Sequence, residues 1–447
     1  MQTVWKFTIS TKKHQQIEMP LNSHIIKGDV QNDKPVIWVL VNTENPNEKR
    51  NFELVATGSE IKGKDFRYVC SFNFSEGRYV QHLFEINLGK VSEKEVIVEK
   101  EKATTSKKNK VADTGISFSI FKSKKPKKIS KAEINDKIKG TLFGHAIGDA
   151  IGLSTEFMTK AQVAYNYPKG VNSYTQIISD KHRKSWTPGE WTDDTEQMLC
   201  ILDSLLEKKK VDPINIAQKI HFWAYNGGRG IGNTTYKVLT SPDFLIDPIK
   251  VSEQIWEESR RNLAANGAVM RTSVVGLWNH KNDDDVIKNA EKIAKITHFD
   301  PRCTGSSAVV SLAIAKLLQG YYDFDIILGF LRPVSSKFDK RIDEYIVLAK
   351  NRSISTIGLD ERNSIGYTLK TMAAGLWALK HNNFKKCIGE IIHEGGDADT
   401  NAAVAGAVLG AKLGFEKLPK DWVDGLLEKK KLESKVNDFI ELLGTQD

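Results

Sequence analysis

Ser130-Lys131-Ala132-Glu133-Ile134-Asn135-Asp136-Lys137-Ile138-Lys139-Gly140-Thr141-Leu142-Phe143 is the stretch that decides the fold of most of this chain. Ser130 and Glu133 stand in the S-x-x-E pattern, in which each side chain accepts a hydrogen bond from the other residue's backbone N–H, so a helix begins here. Ile134, Ile138, Leu142 and Phe143 then fall on one face at helical spacing. Working towards the C-terminus, the same period returns at Met198, Leu199, Leu202, Leu205 and Leu206. Asp212-Pro213 reads as cap and first turn ahead of Ile216, Ile220 and Trp223. Further apolar faces are Ile287, Ala290 and Ile293; Val309, Ala313, Ile314 and Leu317; Leu369, Met372, Leu376 and Leu379; and Val404, Val408 and Leu409. Strand-type runs are scarce, so residues 131–447 are predicted to form a large all-α domain, bigger than a four-helix bundle.

Working towards the N-terminus, the composition changes twice. Residues 98–130 are rich in Lys, Ser and Thr and read as a basic flexible linker, with one short apolar patch, Ile116–Phe121, that suits a docking strand. Residues 1–97 contain β-type runs at Val36–Val41, Phe52–Ala56 and Tyr79–Ile86, punctuated by Asn32-Asp33 and Thr57-Gly58. The expected architecture is therefore multidomain: a small β-rich accessory domain, a linker and the all-α domain.

The chain's 447 residues carry a net charge of +9. Between Glu99 and Lys131 there are eleven Lys against three acidic residues, so most of that excess sits in the linker. A charged tether accounts for it, which argues against nucleic acid as the main partner. Cys70, Cys200, Cys303 and Cys387 are too scattered for a zinc site or a disulfide framework. Lys6, Lys12 and Lys13 interrupt the start, no signal-type apolar region follows, and the run Ala402–Ala411 is too short to span a bilayer. The expectation is a cytoplasmic protein with no membrane partner.

Two acidic clusters sit at predicted helix starts: Trp191-Thr192-Asp193-Asp194-Thr195-Glu196 and Glu394-Gly395-Gly396-Asp397-Ala398-Asp399-Thr400. Each is open to two readings. A single Asp or Thr at such a place is an ordinary cap. A cap needs one oxygen, however, and extra carboxylates are unfavourable unless a cation neutralises them; oxygen-only sets suit Mg²⁺, Mn²⁺ or Ca²⁺. The glycine-spaced run Gly144-His145-Ala146-Ile147-Gly148-Asp149-Ala150-Ile151-Gly152 permits either a tight helix crossing or close approach to a ligand. Asp149 within it should be buried and paired. Gly228–Thr235 offers backbone N–H groups suited to anions, and Asn266–Arg271 a turn plus a guanidinium for phosphate. His298 taken alone reads as a surface or C-capping histidine before it reads as a catalyst, since His is favoured near helix C-termini.

Taken together and in order, GHAIGDAIGLSTEF, GEWTDDTEQM, GRGIGNTT, NGAVMR, Thr297-His298 and EGGDADTNAAVAGAVLGA resemble the ADP-ribosylglycohydrolase family, over roughly residues 131–430. The resemblance implies an all-α fold with two divalent metal ions, Mg²⁺ or Mn²⁺, in a cleft. It implies Thr192, Asp193, Asp194, Asp397, Asp399 and Thr400 as metal ligands, and Glu156, Asp193 and Asp194 as catalytic residues. It also implies Gly232, Asn233, Asn266, Gly267, Met270, Arg271 and His298 as the walls that hold ADP-ribose. Which carboxylate is the general acid or base stays open at this point. The implied substrate is an ADP-ribosylated protein. An ADP-ribosyltransferase toxin, engaged through the N-terminal region, would make the chain an immunity protein. The alternatives are a non-catalytic ADP-ribose-binding module and a hydrolase of another nucleotide-derived glycoside. MQTVWKF, IEMP and the strings after them resemble a small phage-associated β domain of unknown function.

Overall fold

A computed structural model describes residues 2–10, 13–21, 23–31, 34–56, 66–74, 79–86 and 126–444. Two compact units emerge, dividing between Ile116 and Ser117. Most of the expected linker, including the Ile116–Phe121 patch, lies outside the described residues. Its last five residues do not behave as a tether. The Lys127 N–H donates to the Gly320 carbonyl (3.0 Å), and Ser130 closes the expected capping box with Glu133.

The first unit is built from antiparallel strands: β1 (Gln2–Thr8), β2 (His14–Pro20), β3 (His24–Gln31), β4 (Lys34–Asn42), β5 (Asn47–Ala56), β6 (Phe66–Phe74) and β7 (Tyr79–Ile86). They form two sheets, ordered β1-β4-β3 and β2-β5-β7-β6. Alternation places Ile37, Val39 and Val41 of β4 and Phe52 and Leu54 of β5 in one shared core with Phe72 and Leu83. The three expected strands are β4, the end of β5, and β7. The other four are short, or mix polar residues into the alternation, and carry weaker signals.

The second unit is helical throughout: α1 (Lys131–Gly152), α2 (Lys160–Asn166), α3 (Asp193–Lys208), α4 (Pro213–Tyr225), α5 (Asn233–Leu239), α6 (Pro248–Glu258), α7 (Asp283–Ala294), α8 (Pro301–Leu318), α9 (Phe324–Phe338), α10 (Lys340–Leu348), α11 (Thr368–Ala378), α12 (Phe384–His393), α13 (Ala398–Leu413), α14 (Lys420–Asp424) and α15 (Lys429–Gly444). Helix α8 is buried along almost its whole length and packs against α7, α9, α11 and α13. No helix among the described residues is long and apolar enough to cross a membrane.

One contact places the functional region. Gly140, Gly144, Gly148 and Gly152 recur every four residues along one face of α1, and α13 lies directly on them. A Cβ on Gly148 would stand 2.0 Å from the Ala402 carbonyl oxygen, and one on Gly144 2.3 Å from that of Gly406. Backbone therefore meets backbone along the crossing. Of the two roles open to these glycines, close helix packing is the one they fill.

Candidate active site

The α1–α13 crossing brings Asp149, near the end of α1, to the N-termini of both α3 and α13. Asp149 is fully buried and accepts four hydrogen bonds. Its Oδ1 takes the Thr192 N–H (2.9 Å) and hydroxyl (2.8 Å); its Oδ2 takes the Thr195 N–H (3.0 Å) and hydroxyl (2.5 Å). A carboxylate from another helix thus caps α3. The ordinary-cap reading of the two acidic clusters fails on geometry. Thr192 and Asp397 occupy the N-cap positions of α3 and α13, and neither makes a side-chain capping bond. The Thr192 hydroxyl is turned towards Asp149 and Asp399 instead, and Asp397 accepts from Asn266 and faces Glu156 and Asp399.

Two overlapping groups of carboxylates result. Asp149, Asp194 and Asp399 each bring one oxygen within 4.8 Å of the others, and so do Glu156, Asp397 and Asp399. Asp399 belongs to both. Thr192 Oγ1 lies 3.4 Å from Asp194 Oδ2 and 3.5 Å from Asp399 Oδ2, while the Thr400 hydroxyl donates to Asp194 Oδ2 (3.2 Å). Asp194 Oδ1 is buried with no protein partner. Burial pushes Asp149 and Asp397 up to about 6, and pushes Asp194 and Asp399 well above the carboxylate range, where neighbouring negative charges add to the effect. No Lys or Arg makes an ion pair with Asp149, Asp194, Asp397 or Asp399 among the described residues. Hard oxygen donors, an orphaned buried carboxylate oxygen and unrelieved repulsion fit a divalent cation.

Glu156 is held from several directions. The Gly395-Gly396 turn, at φ 72° and 70°, lies against the Glu156–Met158 segment: Phe157 N–H donates to the Gly396 carbonyl (2.6 Å), and Gly396 N–H to that of Met158 (2.8 Å). A Cβ at either glycine would strike a backbone oxygen, so no larger residue fits. Arg183, buried, donates to the carbonyls of Leu153 (2.8 Å), Ser154 (3.0 Å) and Glu156. His182 Nε2 lies 2.6 Å from Glu156 Oε2, a hydrogen bond that raises the histidine's pKa. Phe157 takes a left-handed backbone (φ 59°), rare for an aromatic residue, and stands exposed at the cleft mouth.

The cleft above these acids has a volume of about 320 Å³. Glu156, Asp193, Asp397, Asp399 and Thr400 line its acidic side. Gly232, Asn233, Asn266, Gly267, Met270 and His298 line the remainder, joined by Phe157 and the loop residues Ile365 and Gly366. Thr192 and Asp194 do not line it and join the site through the carboxylate cluster. Asp193 lies outside both carboxylate groups, its Oδ2 accepting from Gln197 Nε2 (3.2 Å). Asn266 Nδ2 donates to Asp397 Oδ2 (2.7 Å).

Arg271 departs from expectation. It is fully buried behind the wall and pairs with Gln197 and Thr297, so its guanidinium does not line the cleft to grip phosphate. His298 is no exposed helix end but a buried residue of the cleft wall, the place the family resemblance implies for it. A larger groove of about 820 Å³ touches the cleft at Asp193, but its acids Glu190 and Asp203 are paired with Arg229 and Lys435. It lacks convergent free carboxylates.

Sequence reasoning missed His182 and Arg183, and gave no role to Thr195 and Gln197, which stand inside the quoted GEWTDDTEQM string. Gln197 lies one helical turn after Asp193 and therefore on the same face.

The raised acids imply a pH dependence with a definite sign. An acid whose folded pKa exceeds its unfolded value stabilises the fold below the unfolded value and loses that contribution as pH rises through the folded one. For Asp149 and Asp397 that window runs from the ordinary 3.8 to about 6. A divalent cation should therefore raise the melting temperature little at about pH 5 and strongly above about pH 7. Melting curves with Mg²⁺ and with EDTA across that range check this; an equal metal effect throughout would exclude the acid cluster as its source.

With this geometry established, comparison with known proteins gives a consistent answer. The ADP-ribosylglycohydrolase profile matches residues 130–447, and the chain belongs to that family of glycosidic-bond hydrolases. Residues 1–93 match a domain of unknown function, DUF7352. Among its relatives, the ADP-ribosylarginine hydrolase Tri1 of Serratia proteamaculans is 26% identical over 327 residues, covering 71% of this chain and 83% of that protein. The ADP-ribosyl-[dinitrogen reductase] glycohydrolase of Rhodospirillum rubrum is 26% identical over 321 residues, covering 70% and 98%. Mouse ADP-ribosylhydrolase ARH3 is 23% identical over 348 residues, covering 66% and 88%. A solved structure, that of an ADP-ribosylglycohydrolase-related protein complex, shares the fold, with a TM-score of 0.52 at 24% identity over 70% of this chain and 99% of its own. The family is metal-dependent, and the acid groups found here could hold metal ions.

Proposed function

We propose that the chain hydrolyses the glycosidic bond joining ADP-ribose to a side chain of a modified protein, with arginine the first linkage to test. The observation that carries this reading is the pair of carboxylate groups sharing Asp399 at the side of one cleft. Two groups with a common member support two ions. Asp194 and Asp399, with Thr192 and Thr400, would hold one, Asp149 fixing Thr192 from behind with oxygens already taken up by hydrogen bonds; Glu156, Asp397 and Asp399 would hold the other. Mg²⁺ or Mn²⁺ suits such oxygen sets. Bound there, the ions supply positive charge that orients ribose hydroxyls and water.

The chain's own residues do the rest. Breaking the C1″–N bond develops oxocarbenium character. A carboxylate on the wall, Glu156 or Asp193, takes a proton from the attacking water as the water oxygen bonds to C1″. The electron pair of the broken bond leaves on nitrogen, which takes up the proton the carboxylate received, so the carboxylate ends ionised again. Asn233, Asn266 and His298 offer polar contacts to the ribose and phosphate groups. The arginine linkage is suggested by the Serratia relative, an ADP-ribosylarginine hydrolase. Residues 1–93 are proposed to recognise a partner, an ADP-ribosyltransferase toxin being the version that would make the chain an immunity protein.

The test is ADP-ribose release from arginine-, serine- and asparagine-linked ADP-ribosyl proteins, with Mg²⁺, Mn²⁺ or EDTA. It is run with the wild type, with Asp193→Asn and Glu156→Gln, and with residues 1–93 deleted. Metal-dependent release that EDTA abolishes, lost or slowed at least a hundredfold in one of the two carboxylate variants, is expected. The deletion is expected to release ADP-ribose normally and to protect toxin-exposed cells less. Tight ADP-ribose binding with no release from any linkage would instead make the chain a reader.

A further inference from the structure

We propose that Arg271 is a positioning residue whose donor-only guanidinium, acting through Thr297, locks His298 as a neutral Nε2–H donor aimed at an oxygen of ADP-ribose. The choice of ligand rests on the function proposed above; the relay itself does not.

Arg271 ends a short 3₁₀ turn, Val269–Arg271, and is fully buried. Its guanidinium has five N–H groups and no acceptor, so whatever it touches must accept. Nη1 donates to Gln197 Oε1 (2.8 Å). That fixes which end of the Gln197 amide faces which way and leaves Nε2 to donate to Asp193 Oδ2 (3.2 Å). Nη2 donates to Thr297 Oγ1 (2.6 Å). The Thr297 hydroxyl, already accepting, still has one proton to place, and His298 Nδ1 lies 2.8 Å away. With Nδ1 accepting, a neutral imidazole carries its proton on Nε2.

Nε2 has no protein partner, and His298 is 1% exposed on the cleft wall. A buried donor left unpaired is unfavourable, and a ligand oxygen would offset that cost. Gly267 stands against it: a Cβ there would lie 2.8 Å from His298 Cε1 and 3.0 Å from Nε2, so a side chain at that position would crowd the donor. Burial, reinforced by the Arg271 charge, holds the imidazole down to about 3, so it is neutral at working pH. The wall therefore presents a dipole, suited to a ribose hydroxyl or a phosphate oxygen. The expected cation of this region serves the ligand at one remove.

The relay is tested in the full chain with ¹⁵N-labelled histidine, using Thr297→Val, which keeps the shape and removes the hydroxyl, and Thr297→Ser, which restores it. Wild type and Thr297→Ser should show His298 protonated at Nε2, and Thr297→Val should shift towards Nδ1–H. With ADP-ribose as the probe, Thr297→Val should bind about tenfold more weakly, the effect of roughly 1.4 kcal/mol, and Thr297→Ser should recover most of it. In turnover the loss should fall on KM, with kcat changed less than about twofold. An Nδ1–H wild type would overturn the relay, as would a folded Thr297→Val variant that binds ADP-ribose as well as wild type. A wild type with the Nε2–H tautomer but no affinity for ADP-ribose would overturn the ligand assignment alone.

Discussion

Replacing Asp399 by Asn is expected to abolish ADP-ribose release and, in the metal-free protein, to raise stability. Asp399 is the one carboxylate shared by both acid groups, so its loss weakens both together. A hundred- to thousandfold fall in rate, or more, is expected, the scale seen when one preorganised electrostatic group is removed. The stability gain follows from the same crowding. Asp399 is buried, and Glu156, Asp397, Asp194 and Asp149 all oppose its ionisation. An isosteric amide removes one charge from that set. In EDTA the variant should melt higher than wild type, each kcal/mol gained being worth about 1.5 °C in a domain of this size. In Mg²⁺ the order should reverse, because the variant gains little from metal. A scanning melt under both conditions measures the crossover. A variant that melts lower than wild type in EDTA would mean that Asp399 is structural, held by hydrogen bonds that Asn cannot reproduce.

The second large effect is on folding. Gly148→Ala adds one methyl group, yet that Cβ would stand 2.0 Å from the Ala402 carbonyl oxygen and 2.9 Å from the Ala403 amide nitrogen. Neither neighbour is a flexible side chain, so relief requires α1 and α13 to separate. Ala ordinarily favours a helix over Gly by about 1 kcal/mol. Overpacking, typically about 1–3 kcal/mol, should outweigh that preference here, for a net loss of up to about 2 kcal/mol. Separation of the helices would also draw Asp149 from Asp399, so the metal-induced rise in melting temperature should shrink with stability. As a control, Gly389→Ala has open space around its Cβ and should be neutral or slightly stabilising. Equal melting curves for the two variants would refute the steric account.

Much of the site is legible in the sequence. The two Asp-rich clusters declare themselves because each holds more carboxylates than a helix cap can use. The S-x-x-E start of α1 and the Asp-Pro start of α4 are readable because capping is local, settled by residues three or four apart. Helices α2, α5, α6, α9, α10, α12, α14 and α15 are absent from the sequence reading; several are short, and α9 carries Pro333 within it. Arg271 misleads because a guanidinium beside a glycine turn looks the same in sequence whether it faces a ligand or a buried glutamine. His298 is ambiguous for a similar reason: its burial depends on what α8 and the Asn266–Arg271 turn bring against it.

By itself, then, the sequence determined the helical class of residues 131–444, the β class of the first unit and the identity of the acids. These depend on periodicity, capping and composition, which act over a few residues. Only the tertiary structure decided that Asp149 caps α3 from a different helix, that Asp399 is common to two acid groups, and that Arg271 stands behind the wall. Each of those facts requires residues tens to hundreds apart to meet at hydrogen-bonding distance. It is the glycine-faced crossing of α1 and α13 that sets those distances.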